Sequence, residues 1–220
     1  MPESTEPKYV PALGFHCLTP CYDAIVRTTG RERTIKQALI EQARLAPGQQ
    51  VLDLGCGTGT LALWIKQRQP LAAVTGVDGD PKVLAIACRK TDKANVSVRF
   101  DQALSYHLPY PAAQFDRVLS SMFFHHLAWP DKVRTAQEIF RVLKPGAGLH
   151  IADWGRAANL CMRGLFLTVQ LLDGVKNTQG HAQGKLLSLF EQNGFVDVAQ
   201  RQTFSTLYGT AALYSATKPG

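Results

Sequence analysis

Residues 50–60, QVLDLGCGTGT, constrain the fold of this chain more than any other stretch. Val51, Leu52 and Leu54 favour a buried strand. Asp53 places a carboxylate near the end of that strand, where burial is costly without donors. Gly55, Gly57 and Gly59 let the backbone turn sharply and approach a ligand closely. Leu61, Ala62, Leu63, Trp64 and Ile65 continue as a helix whose free amide groups point back at the turn. The spacing is G-x-G-x-G. The dinucleotide fingerprint needs a sixth-position glycine, and Thr60 stands there. No Gly-Lys-Ser/Thr follows, so a P-loop is absent. A tight turn without a ligand is the plain alternative.

With 220 residues the chain is long enough for one domain with a substantial core. No apolar run approaches the ~18 residues of a membrane span. Residues 1–8 are polar and lack the apolar core of a signal peptide. Cys17, Cys21, Cys56, Cys88 and Cys161 are an odd set without a secretory signal, which points to a reducing cytoplasm rather than disulfides. The formal net charge is +7, yet the basic residues are scattered in pairs such as Arg31/Arg33 and Arg89/Lys90. That pattern reads as a solvated surface and disfavours a nucleic-acid partner.

Residues 1–11 read as loosely attached, and 20–28 as a short helix capped by Thr19. Residues 31–43 have helical apolar spacing. A second strand covers 71–77 and closes at Asp78. Asp53 and Asp78 therefore sit at the carboxyl ends of neighbouring strands, where open α/β sheets bind ligands. Asp80 caps a helix running from Pro81 to about Lys93. A third strand covers 96–100, a fourth 114–121, and a helix 131–143. Residues 144–148 turn into a fifth strand over 149–153. Residues 154–181 read as one amphipathic helix with a flanking loop. A last helix covers 185–192, and strands over 195–204 and 207–217 form a hairpin. His125-His126 invites a metal reading. Neighbours on an extended chain point oppositely, though, and no H-E-x-x-H motif or third ligand accompanies them, so no metal is expected.

Asp53-Leu54-Gly55-Cys56-Gly57-Thr58-Gly59 resembles the first motif of class I S-adenosylmethionine-dependent methyltransferases. Leu108-Pro109-Tyr110, Phe115-Asp116 and Lys144-Pro145-Gly146 follow in that family's order. The overall look is closest to the ubiquinone/menaquinone-biosynthesis type. The resemblance implies an α/β, Rossmann-like fold: a mostly parallel seven-stranded sheet with a C-terminal antiparallel hairpin and helices on both faces. Residues 1–44 would be a tail and helical cover, and 45–220 the methyltransferase domain, with a substrate-pocket insertion at 154–181. The implied cofactor is S-adenosyl-L-methionine, released as S-adenosyl-L-homocysteine.

By the same resemblance, Asp53, Gly55, Cys56, Gly57, Thr58 and Gly59 hold the methionine part. Asp78 and Gly79 hold the ribose. Asp101, Gln102 and Ala103 lie at the adenine, and Ser120 joins this cofactor set. His125 or His126 would accept a proton. His16, Tyr22, Phe124, Asp153 and Trp154 would line the acceptor pocket. The expected acceptor is a small molecule with a carbon, oxygen or nitrogen nucleophile, and the chain a monomer or homodimer. Alternatives are an arsenite or thiol methyltransferase using the cysteines, an RNA methyltransferase, and a non-catalytic cofactor-binding protein. Ser121-Met122-Phe123-Phe124 replaces an Asn/Asp-Pro-Pro-Tyr/Phe signature, which lowers the case for methylating base amino groups.

Overall fold

The computed structural model describes residues 31–220. The loose stretch 1–11, the helix expected over 20–28, and His16, Cys17, Cys21 and Tyr22 lie outside the described residues.

Helix α1 (Glu32–Ala43) buries Ile35, Leu39, Ile40 and Ala43 on one stripe. It leads into β1 (Gln50–Leu54), α2 (Thr60–Arg68), β2 (Ala73–Asp78), α3 (Pro81–Lys93) and β3 (Arg99–Gln102). Then come β4 (Phe115–Ser121), a 3-10 turn at Phe124–His126, α4 (Trp129–Val142) and β5 (Leu143–Trp154). The chain ends with α5 (Leu160–Asp173), α6 (Val175–Ala182), α7 (Leu186–Gln192), β6 (Val196–Thr206) and β7 (Gly209–Thr217).

The strands form one sheet in the order β3-β2-β1-β4-β5-β7-β6. β1 to β5 pair in parallel, and β7 runs antiparallel to both β5 and β6. Four consecutive buried residues in β1, Val51 to Leu54, mark a central strand covered on both faces. On one face α1, α2 and α5 pack Leu39, Ile65 and Phe166 against Val51, Val74 and Ala152. On the other, α4 and α7 pack Ile139, Leu189 and Phe190 against Leu52, Val118 and Ile151. β1 lies between β2 and β4, so the strand order reverses there. A crevice outside the carboxyl ends of β1 and β4 is where such a sheet takes a ligand. Among the described residues, no helix is long and apolar enough to cross a membrane.

The expected sheet and hairpin are present, and several boundaries move. β3 begins at Arg99 rather than 96, because Val96 N–H still caps α3 through Thr91 O at 3.0 Å. Asp101 and Gln102 therefore lie within the strand instead of after it. β2 begins at Ala73, since Leu71 is exposed in the preceding turn. β5 runs back to Leu143, because the turn at 144–148 pairs with the C-terminal backbone: Gly146 N–H to Lys218 O and Lys218 N–H to Ala147 O, each 2.9 Å. Residues 154–181 hold two helices, broken at Gly174 with φ 85°. His125 and His126 are not on an extended segment. On the 3-10 turn their ring centroids are 4.0 Å apart.

Candidate active site

The glycine turn connects β1 to α2. Gly55 and Cys56 N–H donate to Val77 O at 2.9 and 3.0 Å, which ties the turn to β2. Gly55 has φ 68°, and a Cβ there would meet the Phe123 ring at 2.3 Å. Gly59 has φ 73°, and its Cβ would lie 2.7 Å from Ala87. Both positions need glycine for conformation and for space. Gly57 differs: among the described residues a Cβ there would meet nothing within 4 Å, so the middle of the turn is open on that side. Its N–H donates to Asp78 Oδ2 at 2.9 Å, while Asp78 Oδ1 accepts from Asp80 N–H at 3.0 Å. Lys90 of α3 donates to Thr58 and Thr60 Oγ1 at 2.9 and 2.8 Å.

Asp53 is buried, and its Oδ2 has no hydrogen-bond partner among the described residues. Burial pushes its carboxyl up to about 7, against the pull of Lys36 and the Ala62 N–H. Burial also raises Asp78 and, with Asp53 and Asp78 adding to it, the Cys56 thiol. An orphaned carboxylate oxygen under an open glycine turn suits a ligand that brings a positive charge.

The second cluster sits at the carboxyl ends of β4 and β5. Met122 takes a left-handed backbone, φ 55°, and turns the end of β4 into the 3-10 turn. Asp153, wholly buried, receives that turn. Its Oδ2 accepts from Phe123 and His125 N–H at 3.2 and 3.3 Å, and its Oδ1 from Trp154 N–H at 2.7 Å. His125 Nδ1 lies 2.8 Å from Oδ1. A carboxylate only accepts, so Nδ1 carries a proton toward Asp153. Burial alone would raise the Asp153 carboxyl. The His125 and His181 rings and the donated hydrogen bonds outweigh it and hold the group well below the usual range.

His181 of α6 joins from the other side, its Nδ1 3.1 Å from Trp154 O and 3.6 Å from Asp153 Oδ1. Among the described residues its buried Nε2 has no partner, and neither have Trp154 Nε1 and Ser121 Oγ. Burial lowers His181 to about 4. Burial, and then the adjacent His125 ring, push His126 well below its ordinary range. Lys132 of α4, lowered to about 8 by burial, donates to Leu127 O and Asn177 O, and Asn177 Nδ2 donates to His126 O. These bonds pin α6 to the histidine turn.

Residues 51–146 match the family model described as a methyltransferase domain. A demethylmenaquinone methyltransferase of Lactiplantibacillus plantarum is 30% identical, with 93% of this chain and 94% of that protein covered. The chain belongs to the class I S-adenosylmethionine-dependent methyltransferases, of the ubiquinone/menaquinone type. A demethylmenaquinone methyltransferase of Thermus thermophilus is 35% identical over 64% of this chain, and the match spans 64% of that protein's length. The YcgJ protein of Bacillus subtilis superposes with a TM-score of 0.72 at 17% identity, covering 86% of this chain and 99% of that one, a likeness of fold. S-adenosylmethionine is the methyl donor of the family.

The remaining candidates of this methyltransferase fall in different places. Asp101 accepts from Tyr110 Oη at 3.0 Å and pairs with Arg99. Gln102 Nε2 reaches Gly79 O at 3.4 Å, and Ala103 N–H donates to Asp78 O at 3.1 Å. Ser120 Oγ is buried and donates to Leu54 O at 2.8 Å, joining β4 to the end of β1. Phe124 lies in the core, edge-on to Phe190. Its neighbour Phe123 is the ring seated on the glycine turn. Cys56 is buried, whereas Cys88 and Cys161 are exposed. Among the described residues, no group of three or more His, Cys, Asp or Glu is placed to hold a metal ion.

Phe123, Lys90, Lys132 and His181 were not singled out by the sequence. Lys90 stood in a basic pair that reads as solvated charge. His181 lies on a polar stretch, QGHAQG, with no motif around it.

Proposed function

We propose that this methyltransferase transfers the methyl group to a ring carbon of a quinol, with the buried His125–Asp153 pair accepting the proton. The observation that carries this reading is the 2.8 Å contact between His125 Nδ1 and Asp153 Oδ1. It sits on a turn whose Phe123 ring rests against Gly55. The relatives named as demethylmenaquinone methyltransferases support a quinol as acceptor.

S-adenosylmethionine supplies an activated sulfonium methyl, so the protein needs no covalent nucleophile. Asp53 and the glycine turn would hold its methionine part, and Asp78 its ribose. Quinol carbon is a weak nucleophile until a neighbouring hydroxyl is deprotonated. His125 Nε2 takes that proton, and the Asp153 carboxylate stabilises the imidazolium that forms. The proton of the methylated ring carbon then moves to the neighbouring ring oxygen, which restores the aromatic quinol, and the imidazolium gives up the first proton to solvent on product release. The apolar surroundings, Phe123 and Trp154 among them, exclude water from the reacting pair.

Incubating the protein with S-adenosylmethionine and a reduced short-chain naphthoquinol tests the reading. Expected is a product heavier by one methyl, with S-adenosylhomocysteine released in equal amount. Cofactor binding without methylation of any quinol overturns it.

A further inference from the structure

Helix α5 is apolar on two faces. One face is core: Phe166 and Val169 are buried, and the Phe166 ring meets Trp154 at 5.7 Å between centroids. The other face carries Leu160, Leu167 and Leu171, which are 91%, 51% and 83% exposed. With Gly164 these residues stand at i, i+4, i+7 and i+11, one continuous stripe. Val175, at the start of α6 beyond the break at Gly174, is a further apolar residue at 54% exposure. A Cβ on Gly209 would touch Phe166, so the β6–β7 turn lies beside α5, and Leu207 there is 62% exposed. Three leucines in one stripe, with Val175 on the next helix and Leu207 in the neighbouring turn, are more apolar surface than scattered exposed leucines account for.

The charge around the stripe is one-sided. Residues 155–185 hold Arg156, Arg163, Lys176 and Lys185 against Asp173 alone, in a chain of formal net charge +7. Arg156, Arg163 and Lys185 are exposed. A helix with an apolar outer face and basic flanks has the composition of one that lies in a membrane interface, its leucines among acyl chains and its cations at anionic headgroups. We propose that this face of α5 docks on an anionic phospholipid bilayer.

The helix is also the outer wall of the candidate site, because Phe166 touches Trp154 and the Trp154 ring lies 6.1 Å from His125. Docking brings the acceptor side of the site to the bilayer. The benefit for turnover rests on the quinol reading above, since a quinol with a long apolar tail resides in the bilayer. The docking itself does not depend on that reading.

Cosedimentation of the full chain with vesicles tests the proposal. Vesicles of mixed phosphatidylglycerol and phosphatidylcholine should carry the protein down at low salt, and pure phosphatidylcholine vesicles far less. Added salt should weaken the binding. The Leu167→Glu/Leu171→Glu variant should lose about tenfold or more in vesicle affinity, because two leucines no longer leave water. Its unfolding midpoint and S-adenosylmethionine affinity should match the wild type, as should turnover of a water-soluble quinol. Wild-type protein that stays in the supernatant with anionic vesicles overturns the proposal. So does a double variant that binds them as tightly as the wild type. A wild-type dimer that the variant converts to monomer, with vesicle affinity unchanged, assigns the stripe to a second copy and equally overturns it. Failure of the quinol reading shows instead as absent methylation in solution.

Discussion

Asp153 Oδ1 lies 2.8 Å from His125 Nδ1, and both side chains are buried. The carboxylate also accepts three backbone N–H groups, so it fixes both the tautomer of the ring and the turn that carries it. Asp153→Asn keeps an oxygen for the backbone donors but cannot stabilise an imidazolium. We expect kcat with a quinol acceptor to fall by about 10²- to 10⁴-fold. S-adenosylmethionine affinity should stay within a factor of a few, because Asp153 does not border the glycine turn. His125→Gln should reduce kcat similarly, and the double variant should be no worse than either alone. Additive losses in kcat would reject the idea that the two residues act as a unit.

The glycine turn is equally specific. Gly55→Ala places a Cβ 2.3 Å from Phe123 at a backbone φ of 68°. The ring sits on the turn that presents His125, so it cannot withdraw without moving that turn. Strain and overpacking together should cost on the order of 2–4 kcal/mol in denaturant unfolding. Gly57→Ala has the same backbone cost without the clash, so it should destabilise less. Its larger effect should be on cofactor affinity, since its Cβ would enter the open face of the turn. Equal stability of the two variants would contradict the packing described here.

Much of this architecture was legible in the sequence. Val51 to Leu54 announced a buried strand and Asp80-Pro81 a helix start, each from local chemistry. The stretch after Phe100 was less legible. Strand propensity there is weak, and the register Thr75↔Arg99 to Asp78↔Gln102 is set by β2, not by β3 itself. The same limit hid the far side of the site. Asp53 and Asp78 end adjacent strands and could be paired from spacing alone. His181 reaches Asp153 from a helix distant in sequence, and Lys132 folds back onto the histidine turn from the next helix; no local pattern distinguishes either from a surface residue. Ser120 and Phe124 flank the site in sequence, but the twofold alternation of a strand and the 3-10 turn beyond it send their side chains into the protein.

Histidines held neutral by burial make the fold sensitive to acid. Burial, and then Arg117 and Arg201, lower His150 to about 4. Unfolded, the ring takes its proton near 6.5. Between about 6.5 and 4 the unfolded chain therefore binds the extra proton, and the stability contributed by neutral His150 is lost as pH falls. Replacing His150 by Gln removes that dependence. The variant should gain roughly 2 kcal/mol relative to the wild type between pH 7 and pH 5, read from urea unfolding at each pH. His181 acts in the same direction. Asp53 opposes it: its folded carboxyl titrates near 7 against ~3.9 unfolded, so it adds stability as pH falls through that window. A wild-type-minus-variant difference that is flat with pH would show that His150 takes its proton equally readily in the folded and unfolded chain, and would overturn the lowered value.

Asp53 gives the cofactor site a pH dependence of its own. Its carboxyl titrates near 7 because burial disfavours the charged form. Its Oδ2 has no partner among the described residues to compensate. A bound ligand whose cationic ammonium faces this oxygen favours the carboxylate, so binding releases a proton wherever free Asp53 is still protonated. S-adenosylmethionine affinity should then rise with pH by up to about tenfold per unit below 7 and level off above it. Asp53→Asn should hold the affinity nearly constant from pH 5.5 to 8 and keep it weak. Calorimetric titration in buffers of different ionisation enthalpy counts the released proton directly. Equal affinity of wild type and Asp53→Asn at pH 8 would remove Asp53 from the cofactor site.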